Sequence, residues 1–426
     1  MTLRRALRAA WTGGLLALAL AGSARAETLA DPFETRGEGL AAGHFVLYPA
    51  VSFEYTYDSN ILFMSNELPG SDPIASGVVV VQPRILVYLP LSDGRVRFVY
   101  APFYRNYTNP VFKPEDRLNH AFDFEGLFRR SRTFTFAVRD HYLDGIASLQ
   151  EVGDRNGLST GLGQYSIHNP QLEFGVHVGE RHGFLLMPSY SSSSYTGTVT
   201  SLGQVGDYSY TSRRLEGRYN YLVTPPSTIY GYAAAEETLQ TQTGVEDITI
   251  HDHSIGLGYT RAVHENVSTL VSAGYQTLTF DGGIGRDYSG PIVEANAQWQ
   301  VAGVTRIDGG FLYRAYPSVF ADSNYYIATG VRAHVTHQIG RDSYWEGGGS
   351  VQDNLYVPLA GEGRRERMYR LELGLGHEFR KGVRGFVGYN FDRRQSNVLL
   401  ITPDGGVDPY GYYEHRIMFR LEVGWL

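Results

Sequence analysis

The chain contains no cysteine, 5 methionines and only two lysines, Lys113 and Lys381, within its 37 basic residues. The missing thiols exclude a disulfide framework, thiolate-bound metal, thiol redox chemistry and a lipid anchor on a processed N-terminal cysteine. Long apolar runs are missing too. Beyond residue 26 nothing approaches the roughly 20 consecutive apolar residues that a membrane-crossing helix needs. The sequence also lacks a serine nucleophile elbow, a phosphate-binding glycine loop and a zinc-protease helix. No linker, low-complexity tract or composition shift divides it, so a single domain is expected.

Acidic residues exceed basic ones, 44 to 37, for a formal charge of -7. The first 26 residues read as an export signal, with Arg4, Arg5 and Arg8 ahead of an apolar run from Ala9 to Ala21 and a small-x-small site at Ala24-Arg25-Ala26. Cleavage before Glu27 removes four arginines and no acid, which takes the charge from -7 to -11. Nucleic acid is therefore not an expected partner. Residues 27–44 show no clear period and are expected to form a periplasmic segment, with a barrel over 45–426.

What the sequence has in quantity is glycine and tyrosine, 50 and 31 residues, in a two-residue rhythm of side chains. Val51, Phe53, Tyr55 and Tyr57 alternate with Ser52, Glu54 and Thr56. The same figure recurs down the chain to Phe419, Leu421, Val423 and Trp425. Short turns near Arg130, Glu180, Pro225, Asn266, Gly303, Gly340 and Lys381 alternate with longer connections such as 58–77, 143–164, 195–207, 354–366 and 394–411. A propeller would need a repeating motif of about forty residues, which is missing. The pattern predicts an all-β fold, a transmembrane antiparallel up-and-down β-barrel of about 18 strands, in a Gram-negative outer membrane with both termini on the periplasmic side.

In lipid the apolar face must point outward, because a charge on that face costs about 2 to 4 kcal/mol at mid-bilayer. The polar phase then lines the interior. It carries Arg84, Arg97, Arg105, Arg139, Arg214, Arg218, Arg306, Arg314, Arg332, Arg370, Arg384, Arg416 and Arg420. Glu125, Glu173, Glu294 and Glu372 fall on the same phase, as do Asp123, Glu216, Asp308 and Glu422. These are the candidate pore-lining residues. Their guanidinium groups suit paired hydrogen bonds to carboxylates and phosphates, so they either guide an acidic solute or brace the wall against the inward carboxylates. Tyr55, Tyr100, Tyr190, Tyr221 and Trp299 on the outward phase suit aromatic girdles at the membrane interfaces.

Possible chemistry elsewhere is weaker. His251-Asp252-His253 sets two histidines on one strand face without a third ligand, and Asp140-His141 is a lone acid–base neighbour pair. The Asp-Gly-rich stretches 281–285 and 404–408 resemble calcium-binding loops in composition but match ordinary turn chemistry. No catalytic residue, metal or cofactor is expected.

At Tyr57-Asp58-Ser59-Asn60-Ile61 the chain resembles the signature that opens the family Putative beta-barrel porin 2. That resemblance implies an outer-membrane barrel, often associated with exopolysaccharide synthesis and export. The tail resembles the strand read by the barrel-assembly machinery, although it ends in Leu426 where an aromatic is usual. The expected function is a porin passing anionic polysaccharide or small hydrophilic solutes, with membrane lipids and the assembly machinery as partners. A structural or adhesive barrel with a closed lumen is the alternative, and a barrel-embedded hydrolase using His141 or His253 a third reading.

Overall fold

The computed structural model describes residues 39–424, apart from 64–72, 116, 130, 132, 149–161, 201–202, 206–207, 243–246, 265, 282–285, 319–322, 359–362, 398–399, 402–406 and 409–410. The expected export signal, most of the expected N-terminal segment, much of both Asp-Gly-rich stretches and the last two residues lie outside this set.

The wall begins with β1 (Phe45–Asp58), β2 (Ser76–Leu91), β3 (Gly94–Tyr100 continued by Phe103–Tyr107), β4 (Arg117–Phe128) and β5 (Phe134–Ser148). It continues through β6 (Leu162–His168 and Gln171–Val178), β7 (His182–Thr200), β8 (Tyr208–Thr224), β9 (Ser227–Gln242), β10 (Ile248–His264), β11 (Val267–Phe280) and β12 (Tyr288–Val301). It ends with β13 (Thr305–Pro317), β14 (Ser323–Ile339), β15 (Ser343–Pro358), β16 (Arg365–Arg380), β17 (Val383–Ser396) and β18 (Tyr412–Gly424). Each strand pairs antiparallel with the next, and β18 returns to β1 from Ala50 opposite Gly424 to Asp58 opposite Arg416. The result is a closed 18-strand antiparallel barrel. Closure pairs the last strand with the first, so the sheet has no free outer strand, which is the condition for a sheet to stand in hydrocarbon. A short strand, Leu40–Ala42, doubles back on the start of β1.

Tight turns at Gly179, Gly303, Gly340 and Gly382 join strands on one rim, each glycine at positive φ. The other rim carries the long connections. Several strands run further toward that rim than the rhythm alone suggests: β5 extends to Ser148, β7 to Thr200 and β15 to Pro358. In β7 the extension, Thr196–Thr200, is mostly Thr and Gly, and its backbone pairing outlasts the apolar alternation. No helix of the described residues is long and apolar enough to cross a membrane.

The two faces differ as the charge pattern requires. Leu257 is 67% exposed and Ile255 64% on the convex side, with Leu375, Phe184 and Trp299 also exposed. Their inward neighbours are polar, small or packed, so this molecule has its apolar surface outside.

Candidate pore lining and its constriction

Cross-strand register turns the inward arginines into partners of inward carboxylates. On β3 and β4, Arg97 faces Glu125 in the ladder and binds it at 2.8 Å, joined by Arg95 at 2.9 Å. Arg139 of β5 reaches Glu173 of β6 at 3.2 Å. On β8, Arg214 and Arg218 hold Glu216 between them at 2.9 and 2.8 Å, and Arg214 also binds Glu236 of β9 at 3.1 Å. Arg370 and Arg416 share Asp392 at 2.7 and 2.9 Å, tying β16, β17 and β18 together. Arg420 crosses the closing seam to Glu54 at 2.7 Å.

The remaining candidates sit on the same face with other contacts. Arg306 binds Asp308 at 2.8 Å, Arg384 lies 4.0 Å from Glu378, and Arg332 donates to Asn296 at 3.3 Å. Glu294 accepts from Asn296 at 2.7 Å. Arg84 is buried on β2, Arg105 lies over the Phe103 ring at 5.8 Å, and Glu372 stands opposite Asn390 in the ladder. Asp140 and His141, neighbours in sequence, turn to opposite faces: Asp140 pairs with His168 at 3.1 Å, His141 with Asp123 at 2.8 Å. Asp252 likewise faces in, away from His251, which lies 3.3 Å from Asp281.

One set of contacts skips strands. Arg314 of β13 binds Asp252 of β10 at 3.0 Å, and Gln240 of β9 donates to the Ser318 carbonyl at 3.2 Å. Measured along the wall at ~4.8 Å per strand, β9 and β13 are about 19 Å apart, further than a glutamine spans. Residues 314–318, at the end of β13, must therefore leave the wall and cross the interior. The ladder agrees. Pairing of β12 with β13 stops at Val293 opposite Tyr313, whereas β11 pairs with β12 as far as Tyr288, and β13 stays paired with β14 to Pro317.

Gln276 of β11 takes the place of the missing strand. Its amide oxygen accepts the Ala315 N–H at 3.3 Å, and its amide nitrogen donates to the Ala315 carbonyl at 3.1 Å and to Asp252 at 2.8 Å. Ala315, Leu278, Tyr288 and Tyr325 form a packed cluster around it. Beside this layer, Tyr316, Tyr326 and Tyr356 stack with centroids 5.6 and 5.0 Å apart, and Arg364 covers Tyr356 at 5.0 Å. Arg364 and Arg394 both hold Glu366, which is buried. The interior is thus packed near the long-loop rim. Toward the short-turn rim Arg306 is 53% exposed.

Sequence reasoning missed this layer because Gln240, Gln276 and Ser318 carry no charge and Arg364 and Arg394 sit beside loops. The glutamines on an inward phase were the one available signal.

The Tyr57-Asp58-Ser59-Asn60-Ile61 signature latches the seam. Asp58 accepts the Asn60 N–H at 2.8 Å, the Asn60 amide donates to the Tyr413 carbonyl at 3.3 Å, and the Ser59 hydroxyl accepts the His415 N–H at 2.8 Å. Ile61 then packs with Leu62, Val78, Tyr107 and Phe112.

A closed wall that is apolar outside and charged inside defines an outer-membrane β-barrel of porin-like construction. Residues 180–402, more than half of the chain, match the family model Putative beta-barrel porin 2, and the chain belongs to that family. It is similar in structure to the FrpB iron transporter from Neisseria meningitidis (F3-3 variant), with 10% identity, 89% of this chain and 81% of that one covered, and a TM-score of 0.48. It is also similar to OpdQ of Pseudomonas aeruginosa, with 9% identity, 90% and 98% covered, and a TM-score of 0.43. No curated protein sequence matches the chain significantly.

Proposed function

We propose that the barrel is a channel that passes hydrophilic, preferentially acidic solutes or an anionic polysaccharide without energy coupling. The observation that carries this reading is the concave face: rows of guanidinium groups, most of them beside a carboxylate, run along a wall whose outer face is apolar. Such a face keeps water in the lumen and offers a permeating carboxylate or phosphate fixed hydrogen-bond donors. Because most of the arginines are already paired, they act as both braces and exchange partners, and the lumen's net selectivity is modest. Membrane lipids contact the convex face, the termini lie in the periplasm, and folding proceeds through the barrel-assembly machinery.

Ion selectivity in planar bilayers tests this. Neutralising Arg97, Arg214 and Arg370 to glutamine leaves Glu125, Glu216, Glu236 and Asp392 in excess, so the reversal potential under a salt gradient should move toward cation preference. An unchanged reversal potential would remove the arginines from the mechanism. The packed layer near the long-loop rim favours a second reading, a barrel with a closed lumen whose loops bind partners. A folded, heat-modifiable protein with no conductance in any variant would support it.

A further inference from the structure

We infer that residues 314–318, at the inward end of β13, are the size filter of the lumen, and that Asp252, Gln276 and Gln240 are the positioning residues that hold them there. This rests on the channel reading above.

The argument begins at Pro291. In the register set by Val293 opposite Tyr313, β13 would continue up the wall with Arg314 opposite Ile292 and Ala315 opposite Pro291. Proline has no N–H for a ladder and is confined to unpaired edges of sheets. Here the Pro291 carbonyl is taken by the Tyr288 hydroxyl at 3.2 Å, so the edge of β12 is capped from within its own strand. The hairpin therefore has no strand to rejoin along this edge, and its backbone groups need other partners.

Those partners all project from the inner face. Gln276, fully buried, offers an amide in the geometry of a strand residue, bonding both the N–H and the carbonyl of Ala315. Asp252 gathers Arg314 and Gln276 onto one oxygen. Gln240, from a strand further round, donates its amide N–H to the carbonyl of Ser318. Three strands thus hold one chord across the interior, and the chord narrows the lumen at the level of β9 to β13. Beside it, Gly256 and Gly274 lie under the Tyr232 side chain and Gly290 under that of Tyr288, so the rings there lie close against the inner wall.

The test uses the full-length barrel in planar bilayers and in liposomes loaded with neutral oligosaccharides of graded length. The double variant D252A/Q276A cuts the hold without touching the wall ladder. Single-channel conductance should rise about twofold or more, and longer oligomers should enter. Because the chain has no cysteine, Q240C with S318C introduces the only thiols. Their oxidation in the D252A/Q276A background should restore the narrow state, and reduction should reverse it. Parent-level conductance and cutoff in folded D252A/Q276A would overturn the filter while leaving the channel reading intact. Absence of conductance in the parent and in every variant would overturn the channel reading, and the filter with it.

Discussion

Asp392 shows how much a single inward carboxylate carries. It is buried and bonded to Arg370 and Arg416 on the two flanking strands. Removing it leaves two guanidinium groups beside each other in a confined lumen, and breaking such a buried cluster costs about 3 to 5 kcal/mol. Asp392→Ala should lower stability by about that much in urea unfolding from vesicles, while the triple change R370M/D392L/R416L should recover most of the loss. Equal losses in both would show that the packing of the side chains matters and their charge does not. Arginine suits these positions better than lysine, since its planar fork serves two strands at once.

At the scale of the element, glycine on the inner face makes room for aromatic rings lying flat on the wall. A methyl group on Gly376 of β16 would land within the ring of Tyr344 on β15, and one on Gly258 of β10 within the ring of Tyr230 on β9. Each ring thereby covers its neighbour's backbone, and Tyr230 in turn lies under Arg218 at 4.7 Å. Gly376→Val should displace Tyr344 into the lumen, lowering the thermal midpoint on heat-modifiability gels and reducing conductance, whereas the same change at the outward Gly217, with open space around it, should leave both unaltered. The rhythm of each strand was legible from alternation alone, and so were the tight turns. The long-loop ends were not, because polar strands pair through backbone groups that carry no side-chain period.

For the whole molecule, the decisive property is which face meets lipid. Leu257 stands on the convex side with 67% of its surface exposed, and Ser254 stands buried on the concave side of the same strand. Leu257→Arg should slow or abolish insertion into vesicles, at a cost of about 2 to 4 kcal/mol if the site lies near mid-bilayer. Ser254→Arg should insert normally and alter conductance. Equal behaviour of the two variants would mean that the assignment of faces is wrong. The net charge of the chain has no bearing on this outcome, because insertion depends on where the charges stand.

The division between what residues alone revealed and what they did not follows from the range of the interactions. Side-chain alternation is a local property, so it made strand number and the polar and apolar phases legible, with Arg97, Arg214 and Arg370 on the polar phase. Pairing of each arginine with a particular carboxylate needed the register between strands, which turn lengths set only approximately. The hairpin across the lumen lay beyond reach of any local pattern. It depends on Pro291 ending one ladder and on Asp252, Gln276 and Gln240 meeting it from strands 39 to 78 residues away in sequence, a coincidence that exists only once the barrel has closed.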